Sequence, residues 1–421
     1  MKIWVVTGDY PSPEFPGHGL FVRDQVEALR AGGHVVHVLH AMPPSLRPLA
    51  NEARPRVRAL AARLPGRRQD DHDLAAAVPP VVVAGPDAPE AARPTGPLGR
   101  ARALVEATAR GAVGTARVLH DQVGNTVAVS KLLADMIRLA GDDGTPDVVH
   151  AHNVFPAGIA AGQWAVGRGI PYVVTEHISA YLRHQYSAVE LAAAIRVLDR
   201  ASAVIAVSAA QAEALPIPTD RVTVVPNIVP IADFRLRDAQ ARTSGAVLSV
   251  GWLTPNKRMD LVLRAYAELP DDLRTWHPLR IVGAGPERDR LVELAKTLHL
   301  DPAVVVGRLP REGVVQEMAA AALVVSASGV ETFGVSLIEA LAAGVPFVAT
   351  DSGGPRDIAG PDLGDIVESD DPLILAEAMT VKLRTPATVA SDEKRRAVAE
   401  DRYGPAAVAG HLERVYRDLM A

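Results

Sequence analysis

The chain reads as an α/β protein of two Rossmann-like domains facing one another across a cleft. Three observations carry that reading. Its 421 residues exceed one ordinary domain. Short β-branched runs alternate with amphipathic segments in two separate series, the pattern of parallel sheets covered on both faces. Glycine-bearing loops follow many of the runs, where such sheets hold their ligands.

Taken in order, Ile3 to Thr7 is a buried-type strand, Gly8 to Gly19 a Gly/Pro-rich loop, and Leu20 to Ala31 an amphipathic helix ended by Gly32-Gly33. Val35 to Leu39 is the next strand. Residues 43 to about 100 are rich in Pro, Ala and Arg, with Val81 to Ala84 the one clear apolar run, and are read as an irregular insertion. A helix near Thr126 to Leu139, a strand at Val148 to His150, a helix at Pro156 to Gly167 and strands at Tyr172 to Thr175, Ala203 to Val207 and Val222 to Val225 complete the first series. After a hinge near Pro226 to Thr243, strands are expected at Val247 to Val250, Leu279 to Val282, Val304 to Val306, Leu323 to Ser326 and Phe347 to Ala349. Helices lie between them, at Met259 to Glu268, Glu287 to Leu298, Gly313 to Ala321 and Ser336 to Ala343. The expected domains are 1–235 and 236–402, with a last helix, 403–420, crossing back onto the first.

Composition excludes several functions. The 44 basic and 49 acidic residues leave a formal charge of −5, without the basic excess of a general nucleic-acid binder. Cysteine is absent, which excludes disulfides, thiolate nucleophiles and cysteine metal sites. The opening MKIWVVTGDYPSP breaks at Gly8 and Pro11, too soon for a signal-peptide core. No run of about 18 apolar residues is free of charge and proline, so a soluble, cytoplasmic protein is expected.

The strongest chemical signal is Glu331-Thr332-Phe333-Gly334-Val335-Ser336-Leu337-Ile338-Glu339-Ala340, followed by Ala343-Gly344-Val345-Pro346. Its two glutamates straddle a loop-to-helix transition, whose unpaired N–H groups suit a diphosphate. Gly334 allows close backbone approach, and Glu339 can accept hydrogen bonds from a ribose diol. The segments Val250-Gly251-Trp252-Leu253-Thr254-Pro255-Asn256-Lys257, Val282-Gly283-Ala284-Gly285-Pro286, Val306-Gly307-Arg308-Leu309 and Asp351-Ser352-Gly353-Gly354-Pro355 each follow a strand in the same half and open at the same sheet edge.

This constellation resembles the retaining glycosyltransferases of family 4, which have the GT-B architecture, and the resemblance extends over nearly the whole chain. In the first half it includes Gly17-His18-Gly19-Leu20-Phe21-Val22-Arg23-Asp24-Gln25, and His177 at a strand end. The resemblance implies a nucleotide-sugar donor and these roles. Lys257 neutralises the donor diphosphate, where charge develops on the leaving group. Glu339 holds the ribose. Glu331, with the backbone after Phe333, orients the sugar hydroxyls, and His177 positions the sugar. Gly19 admits the phosphates, and Gly285, Gly334 and Val335 line the donor site. His18, Arg23 and His152 fall on the acceptor side, with His150 and His152 open between scaffold and site. Ser208 and Asn227 hold loops together. In the family the leaving diphosphate takes the acceptor's proton, so no general base is nominated and no metal or other cofactor is required.

One departure stands out. Trp252 occupies the place of the family's arginine, and an arginine fork grips a diphosphate better than a lysine does. Arg258, where the family has glycine, is a possible replacement for that charge.

Two weaker signals are set aside. Asp70-Asp71-His72-Asp73 lies in the irregular insertion, without the strand end a metal site needs. Gly283-Ala284-Gly285 lacks the third glycine and ribose-binding acid of a dinucleotide fingerprint, so NAD is not expected. Residues 47–68 carry seven arginines against Glu52 alone, but Pro48, Pro55 and Pro65 interrupt any amphipathic helix. They are read as a solvated insertion, with contact to a membrane surface as the alternative. The expected reaction is transfer of a hexose or N-acetylhexosamine, foremost N-acetylglucosamine from its UDP donor, to a hydroxyl of a small polar acceptor. Together with the resemblance, the Arg-rich, Ala-rich composition of a high-GC bacterium implies an aminocyclitol in antibiotic or other natural-product biosynthesis. The alternatives are a peripheral membrane enzyme of glycolipid or polysaccharide assembly, using a lipid-linked acceptor and GDP-mannose, a nucleotide-sugar epimerase, and a non-catalytic partner subunit.

Overall fold

The computed structural model describes residues 1–12, 18–42 and 125–421. The Val81–Ala84 run, the basic segment 47–68 and Asp70–Asp73 lie outside the described residues.

Among the described residues, twelve strands form two six-stranded sheets, and every strand pairing in them is parallel. The first sheet holds β1 (Lys2–Thr7), β2 (Val35–His40), β3 (Val148–His152), β4 (Tyr172–Glu176), β5 (Ala203–Ala206) and β6 (Val222–Val224), in the order β2-β1-β3-β4-β5-β6. The second holds β7 (Ala246–Val250), β8 (Leu279–Val282), β9 (Val305–Gly307), β10 (Ala321–Ser326), β11 (Phe347–Thr350) and β12 (Gly364–Val367), in the order β12-β11-β10-β7-β8-β9. Central strands are covered on both faces, which is why they read as unbroken apolar runs: Ile3, Trp4, Val5 and Val6 are all fully buried.

The strand orders locate the crevices. In a doubly wound sheet, ligands bind beyond the carboxyl ends of the strands where the order reverses. That point falls between β1 and β3 in the first sheet and between β7 and β10 in the second. The helices of the described residues include α1 (Leu20–Ala31), α2 (Arg311–Ala319), α3 (Val335–Ala342), α4 (Val389–Tyr403) and α5 (Pro405–Asp418).

α4 packs on α3, burying Ala399 and Tyr403 with Leu337, Ile338 and Leu341. At Gly404 the chain turns, and α5 crosses to the first sheet, where Val408, Leu412 and Tyr416 join Ile3, Val5 and Val26. The two crossings are tied together, since the Val229 amide donates to the Tyr403 carbonyl at 2.9 Å.

Several elements escape the pattern reading. β12, Gly-Asp-Ile-Val, has no apolar run of its own and pairs as an edge strand on β11. The helix Ala188–Arg200 is announced by a capping box, Ser187 with Glu190, and α4 by another, Thr388 with Ser391.

Candidate active site

In the second sheet the loops after β7 and β10 are bound to each other across the reversal point. Asn256 makes the join. Its carbonyl accepts from the Gly329 amide at 2.8 Å, and its side chain donates to the Val330 carbonyl at 2.9 Å. Sequence reading passed over Asn256, whose two bonds span 73 and 74 positions and leave no local mark. The join brings Lys257 to Glu331, and their side chains form an ion pair. Glu331 is held at both backbone ends: its amide donates to Ser352 and its carbonyl accepts from Gly354, each at 2.8 Å.

Behind Glu331, Gly334 takes a left-handed conformation, φ 99°, and starts α3. The first amides of α3 therefore stand free beside Lys257 and Glu331, a pairing of helix N-terminus and cation that suits a diphosphate. Val335, the first residue of α3, has an exposed side chain. The Phe333 ring is buried edge-on against Tyr403, at 5.8 Å between centroids, so only its backbone faces the site. Glu339 lies one turn into α3, where burial pushes its carboxyl up to about 7, opposed by the Arg311 guanidinium 3.8 Å away. Arg311, on α2, is itself held by Asp233 at 2.8 and 3.0 Å. Neither residue belongs to a motif, and only the fold assembles them.

Gly283 and Gly285 serve the scaffold. A Cβ on Gly283 would lie 1.8 Å from the Gly251 carbonyl oxygen, and one on Gly285 2.2 Å from that of Leu253. The Gly-x-Gly spacing thus presses the loops after β7 and β8 together, and this packing is sufficient to require glycine at 285. The Arg258 guanidinium bonds Asp370 in the loop after β12 at 2.6 Å. Trp252 stands 65% exposed beside Gly251.

The first sheet builds its side from the loops after β1, β3 and β4. Asp9 bonds His18 at 2.8 Å and the Asn153 side chain at 2.9 Å, and Asn153 in turn accepts from the His177 amide at 3.0 Å. Glu176, fully buried, accepts from the amides of Val154, His177 and Ile178 at 3.0 to 3.3 Å, while burial pushes its carboxyl up to about 7. Gly19, φ 65°, starts α1, and a Cβ there would fall 2.3 Å from the Asp9 carbonyl oxygen. Gly19→Ala is expected to cost about 1–3 kcal/mol from the backbone conformation alone. It should also displace the Asp9 loop, read as a lowered urea midpoint together with weaker binding of nucleotide.

His177 packs on Phe21 of α1 at 4.3 Å and bonds His152 at 2.9 Å, Nε2 to Nδ1. Burial holds His177 at about 3 and His152 well below its usual value, so both rings are neutral at physiological pH. The acceptor-side assignment of His152 needs correction: the residue is fully buried behind His177 and offers no surface to an acceptor. Arg23 pairs with Asp24 and Glu27 of its own helix. Ser208 caps the helix Ala209–Ala214 through the Gln211 amide.

The carboxyl ends of the two sheets meet. The Ala209 amide donates to Asp357 at 2.6 Å, and a cavity of about 350 Å³ lies between Leu182 and Glu213 on one side and Val330, Asp351 and Arg356 on the other.

Two parallel six-stranded sheets whose carboxyl ends meet are the GT-B fold, and the relatives of the chain are glycosyltransferases. Residues 235–402 match the model of glycosyl transferases group 1, and residues 74–233 that of glycosyltransferase family 4. A D-inositol 3-phosphate glycosyltransferase of Frankia alni is 32% identical over 60% of this chain and 70% of its own. An exopolysaccharide phosphotransferase of Streptomyces coelicolor is 32% identical over 48% of this chain, a match spanning 21% of that longer protein. Among solved structures, Anabaena HepE in complex with UDP and glucose aligns over 99% of this chain and 100% of its own at a TM-score of 0.64 and 19% identity, a likeness of fold. The chain belongs to the family-4 glycosyltransferases.

Proposed function

We propose that the protein transfers a hexose or N-acetylhexosamine, with retention of configuration, from a UDP-sugar to a hydroxyl of a small polar acceptor of cyclitol type, N-acetylglucosamine and an aminocyclitol being the leading pair. The observation that carries the proposal is the Lys257–Glu331 pair set against the N-terminus of α3 with Glu339 one turn further on. Donor diphosphate displaces Glu331 from Lys257 and takes up the free amides of α3. Glu331 is then released to the sugar hydroxyls, so diphosphate capture and sugar recognition are coupled through one ion pair. Lys257 and the helix amides stabilise charge developing on the leaving diphosphate, which accepts the proton of the attacking hydroxyl. Transfer on these terms needs no metal. Support for a UDP-sugar comes from the UDP and glucose in HepE, and support for a cyclitol from the relative named for D-inositol 3-phosphate.

Glu339 gives the proposal a pH signature. Only its ionised form accepts from both ribose hydroxyls, and burial raises its carboxyl to about 7. Donor binding should therefore weaken as pH falls from about 8 to about 6, approaching tenfold per unit below the pKa. Glu339→Gln should bind weakly at every pH, without that slope, which separates Glu339 from Glu176 titrating in the same range.

The reaction is tested by incubating the protein, in EDTA, with UDP-N-acetylglucosamine and a panel of aminocyclitols and inositol phosphates, and reading the product's anomeric coupling by NMR. An α-linked product supports the proposal. A β-linked product, or free sugar formed without acceptor, defeats it.

A further inference from the structure

The Gly353-Gly354 pair after β11 runs between the two sheets. On one side Gly353 forms a parallel bridge with Glu331, whose carbonyl oxygen would lie 3.1 Å from a Cβ placed on the glycine. On the other side the same Cβ would lie 3.3 Å from that of Ala210, in the helix Ala209–Ala214 that follows β5. Gly353 also has a φ of 106°, which favours glycine whatever the space. Gly354 is pressed from a third direction, since a Cβ there would fall 2.5 Å from the Thr332 carbonyl oxygen. Hydrogen bonds in series cross the same gap. The Ala209 amide donates to the Asp357 carboxylate at 2.6 Å, the Asp357 amide to the Gly354 carbonyl at 3.1 Å, and the Gly354 amide to the Glu331 carbonyl at 2.8 Å. The Glu331 amide returns a bond to the Ser352 carbonyl at 2.8 Å.

Glu331 lies in the loop between β10 and α3, outside any helix or strand, so its place depends on these ties. We infer that Asp357 is a positioning residue: by accepting from Ala209 it sets the 352–357 segment, and with it the Glu331 backbone, in register with the first sheet. A carboxylate binds an amide more strongly than a neutral acceptor does, and the glycine pair lets the segment come close enough to both sides to transmit the hold. The donor sugar is then placed by a contact between the sheets, at the edge of the cavity of about 350 Å³ that Asp357, Ala210 and Gly353 help to line. This rests on the reading of Glu331 as the group that orients the sugar hydroxyls.

Hydrogen exchange tests the linkage without reference to the sugar. Asp357→Ala should speed exchange at the amides of Glu331 and Gly354 about tenfold, roughly the worth of one hydrogen bond, while Val324 in β10 and Ile205 in β5 stay protected. Unaltered exchange at Glu331 and Gly354 in the folded variant would overturn the inference. Kinetics test the consequence. Asp357→Ala should lower kcat about tenfold and leave Ki for UDP little changed, because UDP has no sugar to place. Asp357→Asn keeps an oxygen acceptor and should retain most of kcat. Ala210→Leu, which drives a side chain against Gly353 from the side of the first sheet, should reproduce the loss. Equal losses of UDP binding and transfer would overturn the inference, since they report a general loosening. Glu331→Ala separates the two readings. If it stays active, Glu331 does not meet the sugar and that reading fails, while the exchange result still decides the linkage. An inactive Glu331→Ala beside an unimpaired Asp357→Ala would overturn the inference alone.

Discussion

Lys257→Ala should lower kcat about 10²–10³-fold, the loss seen when one preorganised charge partner of a developing anion is removed. The site gives this lysine unusual weight. Trp252 stands where the family has arginine, and in the donor-free structure Arg258 pairs with Asp370 at 2.6 Å. Removing Lys257 also leaves Glu331 facing the donor phosphates uncompensated, so ground-state binding should weaken as well as turnover. Arg258→Ala touches only a partly exposed pair and should change either by little. Steady-state kinetics on both variants check the ranking. Equal losses would mean that Arg258 leaves Asp370 and joins the diphosphate.

Asp392→Ala should cost about 3–5 kcal/mol of stability, the cost of stripping the partner from buried charges. The Asp392 carboxylate accepts from Arg237 at 2.8 and 3.0 Å, from Arg395 at 3.0 Å and from Arg242 at 3.2 Å. Its side chain and that of Arg237 are each only 1% exposed. Arg237 belongs to the linker and Arg395 to α4, so the cluster fastens the crossing segments to the second sheet. Urea unfolding should show a lower midpoint at an unchanged slope. A near-neutral result would mean that water reaches the arginines once the carboxylate is gone.

The same cluster marks the limit of what the sequence discloses. The residues of α4 that face inward are Asp392, Arg395, Ala399 and Tyr403. They keep a helical spacing, but two are charged, so the stripe that normally announces a helix is hidden. The glycine of Ala343-Gly344-Val345-Pro346 belongs to this cluster too. At φ 76° its Cβ would lie 2.6 Å from that of Asp392, so the motif records packing behind the site. By contrast, the buried runs of β1, β7 and β10 and the glycine-bearing loops after them were legible because a parallel strand covered on both faces is largely apolar along its length. Glu331, Glu339 and Lys257 could be placed at one edge because the alternation of elements dictates where loops open. Asn256, Arg311 and Asp233 could not, because their partners are distant in the chain and come together only once strand order is known. The burial of His152 was equally hidden, since His150 and His152 alternate along β3 as any strand-end pair would.

The central claim, that a nucleotide-sugar binds where Lys257 and Glu331 meet the N-terminus of α3, is tested most directly by thermal shift of the purified protein against UDP-, GDP- and dTDP-sugars in EDTA, repeated with Glu339→Ala. A selective rise in Tm with one donor, lost in the variant, is the predicted result. A folded protein that answers no donor, or a rise that survives Glu339→Ala, would contradict it.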